Sequence, residues 1–474
     1  MRVLSIASEC APLVKTGGLA DVAGALPAAL AGQGVQMRTL LPGYPAVTAA
    51  LRDGAEVARF DDLFGASARL LAGQAAGLDL LVIDAPHLFA RPGNPYLGPD
   101  GRDWPDNPER FAALSWVGAW IGTHGAGGWH PQVLHGHDWQ AGFVTEYLRQ
   151  MGGRPATVLT IHNVAFPGTT DASRMHSLRL DPGRFHVDGY EFYGGISALK
   201  AGLMGADALT TVSPTYAEEL MTPEFGMGLD GVMRHRRSAL TGILNGIDTD
   251  AWNPATDPAI QPYAGLDGKA ANKAALRAEM GLPDADGPLC VIVSRMTHQK
   301  GLDLVLEALP ALLDRGGQLA LLGSGDPGLE YGFRLAGDQN PHVATRIGYD
   351  EALSHRLIAG GDAILVPSRF EPCGLTQMYG LRYGTVPVVG LTGGLADTVI
   401  NASPAALARD VATGIQFSPV TVDALRGALT RLCQLYADRD TWSRLVANAM
   451  AQPVGWDQSA QAYAALYARL TAGR

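Results

Sequence analysis

Leu289-Cys290-Val291-Ile292-Val293-Ser294-Arg295-Met296-Thr297-His298-Gln299-Lys300-Gly301-Leu302-Asp303 reads as a strand, a cationic turn and the opening of a helix. Five apolar residues in an unbroken run suit a strand covered on both faces, as in a parallel sheet, and helical spacing takes over across Leu302–Leu313. The same alternation runs along the chain. Strands are expected at Val3–Ala7, Met37–Leu41, Leu78–Ile83, Val133–Leu134, Thr157–Ile161, Ala208–Val212 and Ile243–Leu244. A second series is expected at Leu289–Val293, Gln318–Leu322, Ala344–Ile347, Ala363–Val366, Val386–Val389 and Ile415–Phe417. Helical patterns lie between them at Ala20–Ala31, Leu302–Leu313, Tyr379–Tyr383 and Val422–Tyr436. Strands alternating with helices are βαβ units, and about thirteen strands exceed what one open sheet holds. The expected class is α/β, with two Rossmann-like doubly wound domains facing a cleft.

The Pro-, Asp- and Ala-rich stretch from Asp250 to Gly287 suits a junction. It divides the 474 residues into an expected domain over 1–250 and a second over 251–455, with 251–287 as linker region. Residues 456–474 are expected to form a C-terminal helix on a domain surface, from the helical spacing of Ala460, Tyr463, Ala464, Tyr467 and Leu470. Acidic residues number 46 and basic residues 36, a net charge of −10, which is the opposite of a nucleic-acid footprint. An anionic partner must therefore be held by a few local cations. Cys10, Cys290, Cys373 and Cys433 are too scattered for a disulfide framework or zinc knuckle and suit a reducing cytosol. Met1–Ala7 reads as a first strand rather than a leader, and Phe111–His137 is too broken by Gly, His and Trp for a membrane span. A cytoplasmic protein without membrane or nucleic-acid partners is expected.

Charged and glycine-rich groups gather where strands hand over to helices. Arg295 and Lys300 follow a strand at its carboxyl end, the edge where doubly wound sheets bind ligands. Arg grips phosphate through paired N–H donors and Lys adds a compact charge, although two cations in a turn also occur simply solvated. Lys15-Thr16-Gly17-Gly18-Leu19-Ala20-Asp21-Val22 opens a helix, so its backbone N–H groups suit an anion, with a plain Gly-Gly turn as the alternative. Thr16–Asp21 recurs letter for letter as Thr392-Gly393-Gly394-Leu395-Ala396-Asp397, either one loop-to-helix device used twice or a coincidence. In Pro367-Ser368-Arg369-Phe370-Glu371-Pro372-Cys373-Gly374-Leu375-Thr376 a stiff loop can aim the Glu371 carboxylate at sugar hydroxyls or a cationic centre. Cys373 reads as a small packing residue, since no base accompanies it. His135-Gly136-His137-Asp138-Trp139 and Ile161-His162-Asn163 can hydrogen-bond and stack on a sugar; as a metal site they lack a third ligand at zinc spacing. Asp248-Thr249-Asp250 and Asp284-Ala285-Asp286 lie in the junction and read as turn formers, not metal ligands.

Together these blocks resemble the bacterial glycogen synthases and plant starch synthases, retaining glucosyltransferases of the two-Rossmann-domain GT-B fold. The likeness spans Lys15–Val22, Arg91–Tyr96, Asp103–Asn107, His137–Trp139, Asn245–Asp248, Ser294–Asp303, Pro367–Gln377 and Thr392–Val399. One departure is Gln140, where many relatives carry His. The resemblance implies transfer of glucose from ADP-glucose to the non-reducing 4-hydroxyl of an α-1,4-glucan such as glycogen, with no metal or other cofactor. It implies that Lys15, Gly18, Arg295, Lys300, Leu375 and Thr376 contact the diphosphate and that Tyr349 stacks on adenine. Glu371, Cys373, Gly374, His162 and Asn245 would surround the transferred glucose, with Asp138 and Trp139 near the acceptor path. Glu371, Arg295, Lys300 and His162 are the expected catalytic residues. A two-lobed sugar-binding protein, a UDP-sugar transferase and a phosphorylase are the rival readings.

Overall fold

The computed structural model describes residues 1–473. They form two compact units, one of Met1–Asn245 with the residues from Trp456 onward, the other of Gly246–Gly455. The first unit contains strands β1 (Arg2–Ile6), β2 (Gln36–Pro42), β3 (Arg52–Phe60), β4 (Ala68–Ala75), β5 (Leu78–Asp84), β6 (Val133–His137), β7 (Ala156–Ile161), β8 (Thr169–Thr170), β9 (Glu191–Phe192), β10 (Gly195–Ser197), β11 (Ala208–Thr211) and β12 (Leu240–Gly242). Nine of them order as β12-β11-β7-β6-β1-β2-β5-β4-β3, and β8-β10-β9 make a small separate sheet. Pairing is parallel from β12 to β5, then antiparallel through β4 and β3.

The second unit contains β13 (Leu289–Val293), β14 (Gln318–Gly323), β15 (Val343–Ile347), β16 (Ala363–Val366), β17 (Val386–Gly390) and β18 (Ile415–Phe417), ordered β15-β14-β13-β16-β17-β18 and parallel throughout. Counted within the unit this is the dinucleotide-fold order, and the direction of winding reverses between β13 and β16. The first unit repeats the device, its reversal lying between β1 and β6. Strands β6, β7, β14 and β17 are buried at every position, as strands with helices on both faces require.

Three features differ from the sequence-based expectation. The strand expected at Ile243–Leu244 lies at Leu240–Gly242, paired with Leu209–Thr211, and Ile243 only continues it through its N–H to the Thr211 carbonyl. The β3–β4 hairpin is new: β3 is an exposed edge, and its RDGAEVARF sequence carries no apolar run to announce it. The boundary falls at Asn245/Gly246 rather than 250/251, and 251–287 is not a linker. Trp252 stacks between His355 and Tyr379, each ring centroid 3.8 Å away. Asp257 accepts hydrogen bonds from Tyr383 and His355, both at 2.6 Å. The helix Leu266–Met280 buries Lys269, whose Nζ donates to the carbonyls of Ala359 and Tyr383 and to the Thr385 hydroxyl. These contacts make 246–287 part of the second unit's core.

The chain returns to the first unit through the helix Asp457–Thr471. Ala460, Tyr463, Leu466 and Tyr467 pack there with Val3, Leu26, Val133 and Ala208.

The His355 clasp carries a pH signature. Burial lowers its basicity, but the hydrogen bonds and charges of Glu351 and Asp257 outweigh that, and the net shift is upward. A raised histidine contributes stability below its unfolded value, near 6.5, and loses it as pH rises through the folded value. The melting-temperature advantage of wild type over His355→Gln should therefore shrink as pH is raised from 6 to 9 in thermal scans.

Candidate active site

In the second unit the loops after β13 and β16 flank the strand reversal, the position at which such sheets open a ligand crevice. Backbone and side-chain bonds lock the two loops together. The Arg369 N–H donates to the Gln299 carbonyl at 2.9 Å, and Gln299 Nε2 returns a bond to the Phe370 carbonyl at 3.0 Å. The Arg369 guanidinium grips Asp303 bidentately at 2.7 and 2.6 Å and also reaches the His298 carbonyl at 2.8 Å. Gly301, at φ +67°, passes so close that a Cβ would lie 2.1 Å from the Pro367 carbonyl oxygen.

This clamp brings Lys300 to Glu371. Lys300 Nζ stands 2.5 Å from Glu371 Oε2, and Ser368 Oγ donates to the same oxygen at 2.9 Å. Glu371 is 7% exposed, so its charge is compensated at close range while Oε1 is left without a protein partner among the described residues. Arg295 is exposed and makes no ion pair among the described residues. Cys373 is buried and its thiol is free of any disulfide; Gly374 adopts φ +73°; Leu375 and Thr376 open the helix Thr376–Tyr383. Tyr349 follows β15, two strands away from β13; the residue is 84% exposed and its hydroxyl bonds Glu351.

The repeated hexapeptide does different work in its two places. Gly393 and Gly394 are buried under the Glu371 loop: a Cβ on Gly393 would lie 1.9 Å from the Glu371 carbonyl oxygen, and one on Gly394 2.2 Å from that of Cys373. Gly17 and Gly18 face open space, where a Cβ would meet nothing within 4 Å. The C-terminal copy therefore permits close packing, whereas the N-terminal copy leaves its backbone accessible. Lys15 there pairs with Asp21 at 2.7 Å, half-exposed.

In the first unit the predicted residues follow β1, β6, β7 and β12. Lys15 and Gly18 lie beyond β1, Asp138 and Trp139 beyond β6, and His162 directly after β7. Asn245 lies beyond β12, 7% exposed, with Oδ1 buried and unpartnered among the described residues. Asp138 sits at φ +54°, ψ −165°, a region essentially reserved for glycine that costs about 1–3 kcal/mol and marks functional sites. Its Oδ1 accepts the His162 N–H at 2.6 Å and the Asn163 N–H at 3.3 Å. Desolvation nevertheless pushes its carboxyl up to about 7. His135 and His137 have no exposed surface, so they do not reach a sugar. Instead they form a core network. Tyr467 hydrogen-bonds His135 Nδ1 at 2.7 Å, and His137 links Ser5 (3.1 Å) to His162 (3.0 Å). Burial lowers all three imidazoles, His137 to about 3, and holds them neutral. Among the described residues no group of three or more His, Cys, Asp or Glu is placed to hold a metal.

Sequence reasoning missed several participants. Ser368 and the Arg369–Asp303 pair lay inside quoted motifs, but nothing local says that they pair across 66 residues. Glu9, 3% exposed, fastens the Lys15 loop by accepting the Thr16 hydroxyl at 2.7 Å and its N–H at 2.5 Å. Its signal was available: a carboxylate directly beyond the first strand, at the ligand-binding edge.

Two tests follow from this geometry. Arg369→Met or Asp303→Asn removes the ionic part of the clamp between the β13 and β16 loops without touching Lys300 or Glu371. Turnover should fall on the order of 10²-fold, the scale of a misplacement near 1 Å, as read by steady-state kinetics beside a melting curve. Asp138→Asn removes a carboxyl that burial pushes up to about 7, from an ordinary value of 3.8. Wild type should lose stability as pH rises from about 4 to 7 and then level off, while the variant lacks that slope in melting scans across the same range.

A family model described as the starch synthase catalytic domain matches residues 2–235, and one described as glycosyl transferases group 1 matches residues 276–449. The chain is 66% identical to a glycogen synthase of Jannaschia sp. (strain CCS1), covering 98% of each sequence. It is 63% identical to a glycogen synthase of Paracoccus denitrificans (strain Pd 1222), covering 99% of this chain and 100% of the relative. Among solved structures it is similar to the catalytic domain of starch synthase IV from Arabidopsis thaliana bound to ADP and acarbose. The TM-score is 0.86 at 33% identity over 99% of both chains. With identity at this level running from end to end, the chain belongs to the glycogen synthase and starch synthase family of GT-B glycosyltransferases.

Proposed function

We propose that the chain acts as a glycogen synthase, transferring glucose from ADP-glucose to the 4-hydroxyl at the non-reducing end of an α-1,4-glucan and releasing ADP, with configuration retained. The observation that carries the residue assignment is the Lys300–Glu371 pair at the strand reversal of the second unit, with the unpaired Arg295 on the same loop as Lys300. A nucleoside diphosphate leaving group gains negative charge as its bond to glucose breaks, and preplaced cations stabilise that charge most in the transition state. Arg295 and Lys300 supply them, while the N–H groups of Leu375 and Thr376 at a helix start add to the cradle. Tyr349, exposed and anchored through its hydroxyl, is the surface for adenine. The reading assigns no metal and no organic cofactor. The ADP bound in the Arabidopsis starch synthase IV structure supports the nucleotide, and its acarbose supports an α-linked glucan as the second ligand.

Glu371 holds the sugar rather than attacking it. Its Oε2 is already engaged by Lys300 and Ser368, which withdraw electron density from the carboxylate, and Oε1 remains to accept a sugar hydroxyl. Cys373 and Gly374, on the same loop as Glu371, are assigned to hexose recognition; within the first unit, His162 and Asn245 are assigned to glucose recognition and Asp138 and Trp139 to the acceptor. Departure and attack on one face, with the released phosphate taking the acceptor's proton, then retain configuration without a covalent sugar–enzyme bond. No helix among the described residues is long and apolar enough to cross a membrane, and the acidic net charge disfavours nucleic acid. The proposed setting is the cytoplasm.

Arg295→Ala is the cleaner test of the cation role, because Arg295 has no ion-pair partner among the described residues to strand. Lys300→Ala also leaves Glu371 uncompensated, at a cost of about 3–5 kcal/mol for a buried pair. Both should lower kcat by a larger factor than they weaken ADP binding, since their contribution grows as phosphate departs. ADP release with glycogen as acceptor, beside ADP affinity by calorimetry, reads both quantities; weaker ADP binding with unchanged kcat contradicts the assignment. Parallel assays with UDP-glucose decide the donor.

A further inference from the structure

We propose that Ser5, acting through His137, sets the tautomer of His162, so that His162 presents a protonated Nδ1 as hydrogen-bond donor to a hydroxyl of the transferred glucose. The three residues come from adjacent strands: Ser5 from β1, His137 from the end of β6, and His162 directly after β7. Ser5 and His137 have no exposed surface and His162 is 9% exposed. Ser5 Oγ lies 3.1 Å from His137 Nε2, and His137 Nδ1 lies 3.0 Å from His162 Nε2.

A neutral imidazole carries one N–H and one acceptor nitrogen, so a file of two imidazoles and a hydroxyl has only two self-consistent directions. In one, Ser5 donates to His137 Nε2, His137 Nδ1–H donates to His162 Nε2, and the His162 proton sits on Nδ1. In the other every donor is reversed. The hydroxyl decides between them. Among the described residues Ser5 Oγ has His137 Nε2 as its hydrogen-bond partner, and no solvent reaches it. If it accepted, its own proton would be stranded in the core; if it donates, only lone pairs stay idle. An unmade buried donor is the costlier defect. The file therefore runs outward from Ser5.

His162 is oriented at both ends by the protein. Its backbone N–H is tied to Asp138 Oδ1 at 2.6 Å, and its Nε2 is occupied by His137. Nδ1 is the nitrogen that remains, and as an N–H it selects an oxygen acceptor such as a sugar hydroxyl while refusing a cation or metal. Ser5 and His137 are positioning residues in this account. It rests on the reading of His162 as a sugar contact.

The test is a long-range proton–nitrogen correlation spectrum of full-length protein labelled with 15N-histidine, recorded for wild type, Ser5→Ala and Ser5→Thr. Wild type should show His162 protonated at Nδ1 and bare at Nε2, with His137 Nε2 bare and hydrogen-bonded. In Ser5→Ala the His137 Nε2 resonance should move toward that of an unbonded imine nitrogen, and Ser5→Thr should restore it. Adding ADP with maltotetraose should shift the His162 Nδ1–H resonance downfield. A wild-type spectrum with the proton on His162 Nε2, or a His137 Nε2 resonance indifferent to Ser5→Ala, overturns the tautomer assignment whatever the enzyme's activity. An active enzyme with the expected tautomer and no ligand-induced shift overturns the sugar contact. Failure of the glycosyltransferase reading shows separately, as wild type that releases no nucleotide from any activated glucose.

Discussion

A carboxylate nearly closed off from water must have a cation beside it or give up its charge, and Glu371 has Lys300 at 2.5 Å. That pairing constrains everything around it in the second unit. Lys300 and Glu371 are 71 residues apart and belong to different crossover connections, so the pair exists only because β13 and β16 are neighbours across the point where the sheet reverses. The reversal alone sets strand ends side by side without fixing loop heights. The Arg369–Asp303 fork and the Gln299 amide supply that precision, bonding loop to loop on both backbone and side-chain levels. Gly393 then lets the 392–397 segment close over the Glu371 carbonyl, so the carboxylate is supported from the side as well as from below.

The first unit meets the same topology with opposite electrostatics. At its reversal, between β1 and β6, the buried polar groups are imidazoles held neutral, hydroxyls, and carboxyls that burial shifts upward, while the half-exposed Lys15–Asp21 pair lies outside this buried set. Burial raises Glu9 and Asp138 and lowers His135, His137 and His162, so desolvation disfavours charge of both signs in one region. Uncharged donors and acceptors in a desolvated setting are what recognition of sugar hydroxyls needs, since each unmatched group there carries a penalty. In the second unit the strand reversal instead carries the Lys300–Glu371 ion pair and the exposed Arg295.

Much of this was legible in the residues. Unbroken apolar runs such as Leu289–Val293 and Leu319–Leu322 read as doubly covered strands, and the loops that follow such strands lie on one edge. That reading places Arg295, Lys300 and Glu371 in the loops just beyond strand ends, where the structure has them. What escaped was information that is not local. The β3 strand, exposed along most of its length, has no apolar signature because its stability comes from pairing with β4 rather than from burial. The segment 251–287 looked like a linker because Pro and Asp dominate it, yet Trp252, Asp257 and Lys269 each find partners about 90 residues or more further along the chain. Composition describes a segment's own preferences and says nothing about a distant surface waiting to receive it.

Asp138 shows how such a conflict can itself be informative. No local preference favours Asp at φ +54°, ψ −165°; glycine would adopt that geometry without cost. The backbone is held there because the Oδ1 atom accepts two N–H groups from the His162–Asn163 turn, and those bonds require the carboxyl to point back across the β6–β7 ends. A glycine would relax the strain and lose the connection. The strained residue thus extends the link between β6 and β7 past their last ladder pair, His137 with Thr160, and it fixes the backbone of His162 while His137 fixes its ring. Local disagreement between residue and conformation is in this case the trace of a long-range requirement, one that periodicity does not reveal and that only the neighbouring strand explains.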